Sequence, residues 1–136
     1  MTNSLPPFED IVADFEFIDD WDEKYRYIID LGKKLPALTE AEHSEDNKVR
    51  GCASQVWLAF DEDADVIRFR GDSDAAIVKG LVALMVSLFS GKTKAEVAAL
   101  DAEAALTSID LRDHITPQRS NGVASMIKRI KAIAEA

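Results

Sequence analysis

Two short runs near the middle of the chain constrain its fold most. Residues 55–60, Gln-Val-Trp-Leu-Ala-Phe, and residues 66–70, Val-Ile-Arg-Phe-Arg, alternate and are rich in strand formers. In the second run Ile67 and Phe69 share one face while Arg68 and Arg70 share the other. Asp61-Glu-Asp-Ala-Asp65 reads as the hairpin connection between them, and residues 48–50 as a third short strand. The segments on either side carry apolar residues at helical spacing instead.

Before the strands, Phe8, Ile11, Val12, Phe15 and Ile18 predict an amphipathic helix over residues 7–19. Asp20 and Glu23 have capping-box spacing, Trp21, Tyr25, Ile28 and Leu31 share the next helical face, and Gly32 reads as its stop. Residues 35–48 are polar, contain Pro36 and read as a loop. After the strands, Gly71-Asp-Ser-Asp74 reads as a turn. It feeds a helix whose buried side is Ala75, Val78, Leu81, Val82, Met85 and Phe89, ended by Gly91. Thr93 with Glu96 forms a second capping box opening a short helix to Leu100, and another short helix covers residues 102–108. Thr116-Pro117 is an N-cap and first-turn pair for a last helix with Val123, Met126, Ile127, Ile130 and Ile133 on one face. The order predicts one α+β domain over residues 1–136, a small three-stranded antiparallel sheet backed by helices.

The net charge of −9 disfavours nucleic acid and anionic membranes as partners. Lys128, Arg129 and Lys131 read as the solvated end of the last helix rather than a basic stripe. No apolar run is long enough to span a bilayer, and the N-terminal residues lack a signal-peptide pattern, so a cytoplasmic location is expected. One cysteine, Cys52, leaves no internal disulfide and no multi-thiolate metal site. With only His43 and His114 besides, no metal and no cofactor is expected of this chain.

Cys52 follows Gly51, whose conformational freedom suits a loop tip or strand entry. A free thiol is only a few per cent thiolate at neutral pH, so nucleophilic work needs a group that favours the anion. The helix start near Asp72 and Asp74 offers N–H groups, but its carboxylates oppose a thiolate. Taken alone, the stretch favours a strand-edge core cysteine. Asp72 and Asp74 read as helix caps, Arg119 as a solvated first-turn residue, and Lys79 as a solvated helix residue. His43 and His114 read as hydrogen-bonded loop residues, and Trp21, Tyr25 and Trp57 as core.

Six pieces change the weight of that reading. They are Trp21-x-Glu-Lys-Tyr25, Tyr27-Ile-Ile-x-Leu-Gly32, Leu35-Pro-x-Leu38, Gly51-Cys-x-Ser-Gln-Val-Trp57, Gly71-Asp-Ser-Asp-Ala-Ala-Ile-Val-Lys-Gly80 and His114-x-Thr-Pro-x-Arg-Ser-x-Gly122. In this order and spacing they resemble the SufE family of sulfur acceptors over nearly the whole chain. The likeness is weak in residues 1–18 and 101–112, and Val123 stands where leucine is expected.

The resemblance implies a fold like the IscU iron–sulfur scaffolds. It implies a partner, a PLP-dependent cysteine desulfurase of the SufS type, or of the CsdA type as for the related CsdE proteins. Cys52 would take sulfur from that enzyme's persulfide, stimulate it, and carry the sulfur to a SufBCD-type scaffold. The chain would then be a sulfur-transfer partner rather than a stand-alone enzyme, as a monomer or weak homodimer. Gly51, Asp74 and Arg119 would lie at the docking surface. Two other classes compete: a desulfurase-binding module with an inert Cys52, and a hydrolase with Cys52 as nucleophile and a histidine base. The hydrolase needs an orienting residue and an oxyanion hole that the sequence does not display.

Overall fold

The computed structural model describes residues 5–61 and 65–135. The elements run α1 (Phe8–Phe17), α2 (Trp21–Lys33), β1 (Val56–Phe60), β2 (Val66–Ile67), β3 (Phe69–Ser73), α3 (Ala76–Phe89), β4 (Lys92–Thr93), α4 (Lys94–Ala99), α5 (Ala102–Thr107) and α6 (Pro117–Glu135). A 3-10 turn, Arg112–His114, precedes α6. The α+β order predicted from periodicity is present.

The sheet is not a single three-stranded unit. β1 pairs antiparallel with β3, from Val56 opposite Ser73 to Phe60 opposite Phe69. β2 pairs instead with β4, Val66 opposite Thr93 and Ile67 opposite Lys92. The run 66–70 is therefore split at Arg68 between two small sheets. The segment read as the turn Gly71–Asp74 is mostly strand, because β3 continues to Ser73. The link between β1 and β2 includes residues 62–64, which lie outside the described residues.

The expected third strand shrinks to one bridge, Lys48 opposite Trp57. Val49 N donates to Val56 O at 2.8 Å and Leu58 N to Asn47 O at 2.8 Å. The pairing stops there for two reasons. Arg129 donates to the carbonyls of Asp46, at 2.5 Å, and Lys48, at 3.3 Å, drawing this segment toward α6. Gly51, at φ 88°, then turns the chain away from the sheet.

α3 is the centre of the molecule. Its predicted face is buried except for the partly buried Ala75 at its N-cap, and Ala83, Leu84, Val86 and Leu88 are buried too, because α2, the β1–β3 sheet and α6 cover it on several sides. Gly32 does not end α2. It lies buried within the last turn, and a Cβ there would sit 2.8 Å from Gly80 N. A Cβ on Gly80 would fall 2.3 Å from Ile28 O. The two glycines let the backbones of α2 and α3 touch, which is how a 13-residue helix with modest apolar content docks tightly on the core.

The predicted caps are largely present. Thr93 and Glu96 bond reciprocally, Glu96 N to Thr93 Oγ1 at 3.1 Å and Thr93 N to Glu96 Oε1 at 2.8 Å. Asp20 accepts from Asp22 N at 3.0 Å, and Thr116 Oγ1 from Arg119 N at 3.2 Å. The basic residues of α6 are less free than their spacing suggests. Lys131 Nζ donates to the carbonyls of Val97, Ala98 and Leu100, at 3.2, 3.1 and 2.7 Å, closing the C-terminus of α4. No helix among the described residues is long and apolar enough to cross a membrane.

Candidate site around the single thiol

Cys52 stands where the chain leaves its bridge with β1 and before β1 begins. Gly51 is needed here twice over: its φ is 88°, and a Cβ would lie 2.6 Å from Ser125 Oγ of α6. The turn points the thiol inward. Cys52 is half-buried, packs against the core, and its Sγ donates to Gly122 O of α6 at 3.7 Å. It is neither an exposed loop tip nor a fully buried core residue.

Beside it lies a small cavity of about 20 Å³, walled on the apolar side by Val78 and Leu81 of α3 and Met126 of α6. Gly122 and the exposed Arg119 line its α6 side, with Ala53 and Ser54 from the cysteine loop. Burial pushes the Cys52 thiol up from its ordinary value, so it rests protonated at neutral pH.

The residues predicted around the thiol are placed unequally. Arg119 reaches the cavity, and its guanidinium makes no ion pair or hydrogen bond with another described residue. Asp74 does not line the cavity. It accepts from Gln55 N at 3.0 Å, and its own N–H donates to Gln55 O at 3.3 Å, so it fixes the C-terminal end of the cysteine loop. Neither Asp72 nor Asp74 caps α3, whose N-cap position, Ala75, has no side-chain cap bond.

Asp72 belongs to a cluster on the exposed side of the sheet. Its Oδ2 meets His43 Nε2 at 2.7 Å, and its Oδ1 lies 3.4 Å from Lys79 Nζ. Burial opposes the Asp72 charge, but the bonds from His43 and Ser73 and the nearby Lys79 outweigh it and hold the carboxyl below its usual range. Arg70 grips both carboxylate oxygens of Glu42, one at 2.9 Å, and this bond draws Glu42 down to about 2. These two pairs, with the clamp from Arg129, strap residues 42–48 across the molecule up to the cysteine loop.

Both nitrogens of His43 are engaged, Nδ1 with Thr39 O at 2.9 Å and Nε2 with Asp72, and its ring sits edge-on to Trp57. His114 stacks on Trp21 with ring centroids 4.1 Å apart. Neither imidazole hydrogen-bonds Cys52, whose bond is to Gly122 O, so no cysteine–histidine pair is formed among the described residues. No cluster of three metal-ligating side chains occurs among the described residues.

The Asp72 contact raises the His43 pKa above its ordinary value. A raised folded pKa means the charged pair stabilises the fold fully below the unfolded value, near 6.5, and that this stabilisation disappears as pH rises through the folded value. His43 is therefore expected to titrate above about 6.5 by proton NMR, and Asp72→Asn to bring it back down. Equal titration in both proteins would show that the pair does not hold in solution.

Sequence reasoning missed Gly122, Ser125 and Arg129, which shape and hold the cysteine loop. Gly122 stood in a motif that was legible. Nothing local signals that Arg129 bonds carbonyls 81 and 83 residues away.

Comparison with known proteins agrees along the chain. A solution structure of a hypothetical protein from Thermus thermophilus shares the fold, with a TM-score of 0.75 over 96% of each chain at 17% identity. A SufE-like protein of Rhizobium etli is 49% identical over 135 residues, covering 96% of this chain and 91% of that one. A SufE-like protein of Rhizobium meliloti is 47% identical over 135 residues, covering 96% of each. Residues 9–134 match the domain described as Fe-S metabolism associated. By this match and by those relatives, the chain belongs to the SufE family.

Proposed function

We propose that Cys52 is a sulfur acceptor and carrier in iron–sulfur cluster assembly, working in the cytoplasm with a PLP-dependent cysteine desulfurase of the SufS or CsdA type. The observation that carries this reading is the single thiol, held by a positive-φ glycine over a small, mainly apolar cavity. In the transfer, the Cys52 proton goes to solvent and Sγ attacks the terminal sulfur of the desulfurase persulfide. A new Sγ–S bond forms, the enzyme's S–S bond breaks, and the enzyme leaves as its thiolate. The sulfane sulfur keeps its oxidation level, so no external oxidant or reductant enters. A SufBCD-type scaffold would take the sulfur next.

Burial at rest disfavours the thiolate, so transfer calls for the loop to swing the thiol outward on docking. Gly51 and the short bridge at Lys48 are suited to that motion, since little pairing is broken. Arg119, beside the cavity and without an ionic partner among the described residues, supplies a cation for the emerging anion and for the partner's surface. Mass measurement after incubation with a desulfurase and free cysteine is expected to find sulfur added at Cys52. Peptide mapping that finds none during turnover defeats the carrier reading.

Docking itself gives a second test. Arg119→Glu is expected to weaken desulfurase binding by about 2 kcal/mol if the guanidinium is buried against the partner. A small loss that vanishes at moderate salt would put it at the rim, and no loss would put the docking face elsewhere. Asp74→Arg also weakens binding on this reading, and in addition frees Gln55 N at the end of the cysteine loop.

A further inference from the structure

A second groove runs along an adjacent face of α6. It is lined by Val49 and Arg50, which directly precede Gly51 and Cys52, and by Ser125, Lys128, Arg129 and Ala132 of the helix. Its charged walls are all cationic, in a chain with 25 acidic residues against 16 Lys and Arg. Lys128 is exposed and makes no ion pair or hydrogen bond with another described residue. Arg50 meets Glu45 at 3.4 Å, across side chains that are 78% and 73% exposed, and so open a pair contributes little in water. Arg129 is turned to the carbonyls of Asp46 and Lys48. These are neutral acceptors, and a carboxylate binds a guanidinium more strongly, with shorter and often paired bonds.

The geometry points to this groove as the seat of an acidic segment of the protein that docks over Cys52. Carboxylates reaching Arg50 and Lys128 also reach Arg129, and there they displace the two carbonyls. Residues 46–48 are then released from α6, and they run directly into the cysteine loop. Docking and unlatching of the loop become one event. The inference rests on the carrier reading and goes further, because it names the chemistry of the partner's surface and the route from docking to the loop. A peptide fits better than a nucleic acid. The net charge of −9 repels an extended polyanion, whereas a short segment meets the groove alone. Val49 and Ala132 on the walls suit apolar side chains between its carboxylates.

The test uses the full chain at low salt, with hexaglutamate as the probe and the rate of Cys52 alkylation by iodoacetamide as the readout. Hexaglutamate is expected to bind and to speed alkylation, and sodium chloride at the same ionic strength is not. Lys128→Glu should lose the acceleration. Arg129→Gln should react about tenfold faster with no peptide, the effect of roughly one net hydrogen bond from a charged group, and gain nothing more from the peptide. Lys128 is exposed, so its variant covers the case of an Arg129 variant that fails to fold. Lys128→Glu should also bind a purified SufS-type desulfurase several-fold more weakly, a loss that shrinks as salt rises. Absence of hexaglutamate binding, acceleration that survives Lys128→Glu, tighter binding of a short DNA oligonucleotide, or unchanged desulfurase binding overturns the inference. None of these measurements reads sulfur on Cys52, so their failure leaves the carrier reading standing, and a desulfurase that fails to load Cys52 sinks that reading separately.

Discussion

Gly80→Ala is expected to lower stability by about 2–3 kcal/mol, the overpacking penalty less the gain in helix propensity. For a chain of this length that corresponds to a fall in melting temperature on the order of 10 °C. The added Cβ would sit 2.3 Å from Ile28 O and 2.7 Å from its carbonyl carbon. Those are main-chain atoms of α2, which cannot rotate out of the way as a side chain does. The helices must move apart, and α3 touches nearly every other layer. Gly91→Ala makes a useful contrast, because a Cβ there meets nothing within 4 Å and only its φ of 88° is strained. That variant should lose about 1 kcal/mol. If both variants melt together, the crossing at Gly32 and Gly80 is not the tight point of the fold.

Cys52→Ser is expected to abolish sulfur loading and stimulation of the desulfurase while the protein stays folded. Serine keeps the shape and can donate to Gly122 O, but places a hydroxyl beside an apolar cavity, a loss of about 1 kcal/mol for a half-buried site. The melting temperature should therefore fall by only about 4 °C. Full stimulation by the serine variant would mean that the protein acts by docking alone and that the thiol is inert. A fall comparable to that of Gly80→Ala would make Cys52 a core residue first.

Local patterns were legible in the sequence because local energetics set them. Helical spacing placed α1, α2, α3 and α6, since each helix must turn an apolar stripe inward. The Thr93 and Glu96 box and the Thr116 cap were readable because both partners lie within one turn. The motif around Cys52 singled out the thiol, and the composition left it without a competitor, since no other cysteine exists.

Only the tertiary structure decided what depends on distant partners. It split the run 66–70 between two sheets, because β4, 26 residues beyond Val66, competes for one half while β1 takes the other. It turned Gly32 from a helix stop into a contact point, because the reason for that glycine is Gly80 on another helix. It moved Asp72 and Asp74 from helix caps to His43 and Gln55, and Arg129 from solvent to the carbonyls of Asp46 and Lys48. A polar side chain bonds whichever group the fold brings within about 3 Å, and a lone sequence records no such distances. For the same reason the thiol itself could be read from the chain, while the small cavity beside it exists only where α3, α6 and the cysteine loop meet.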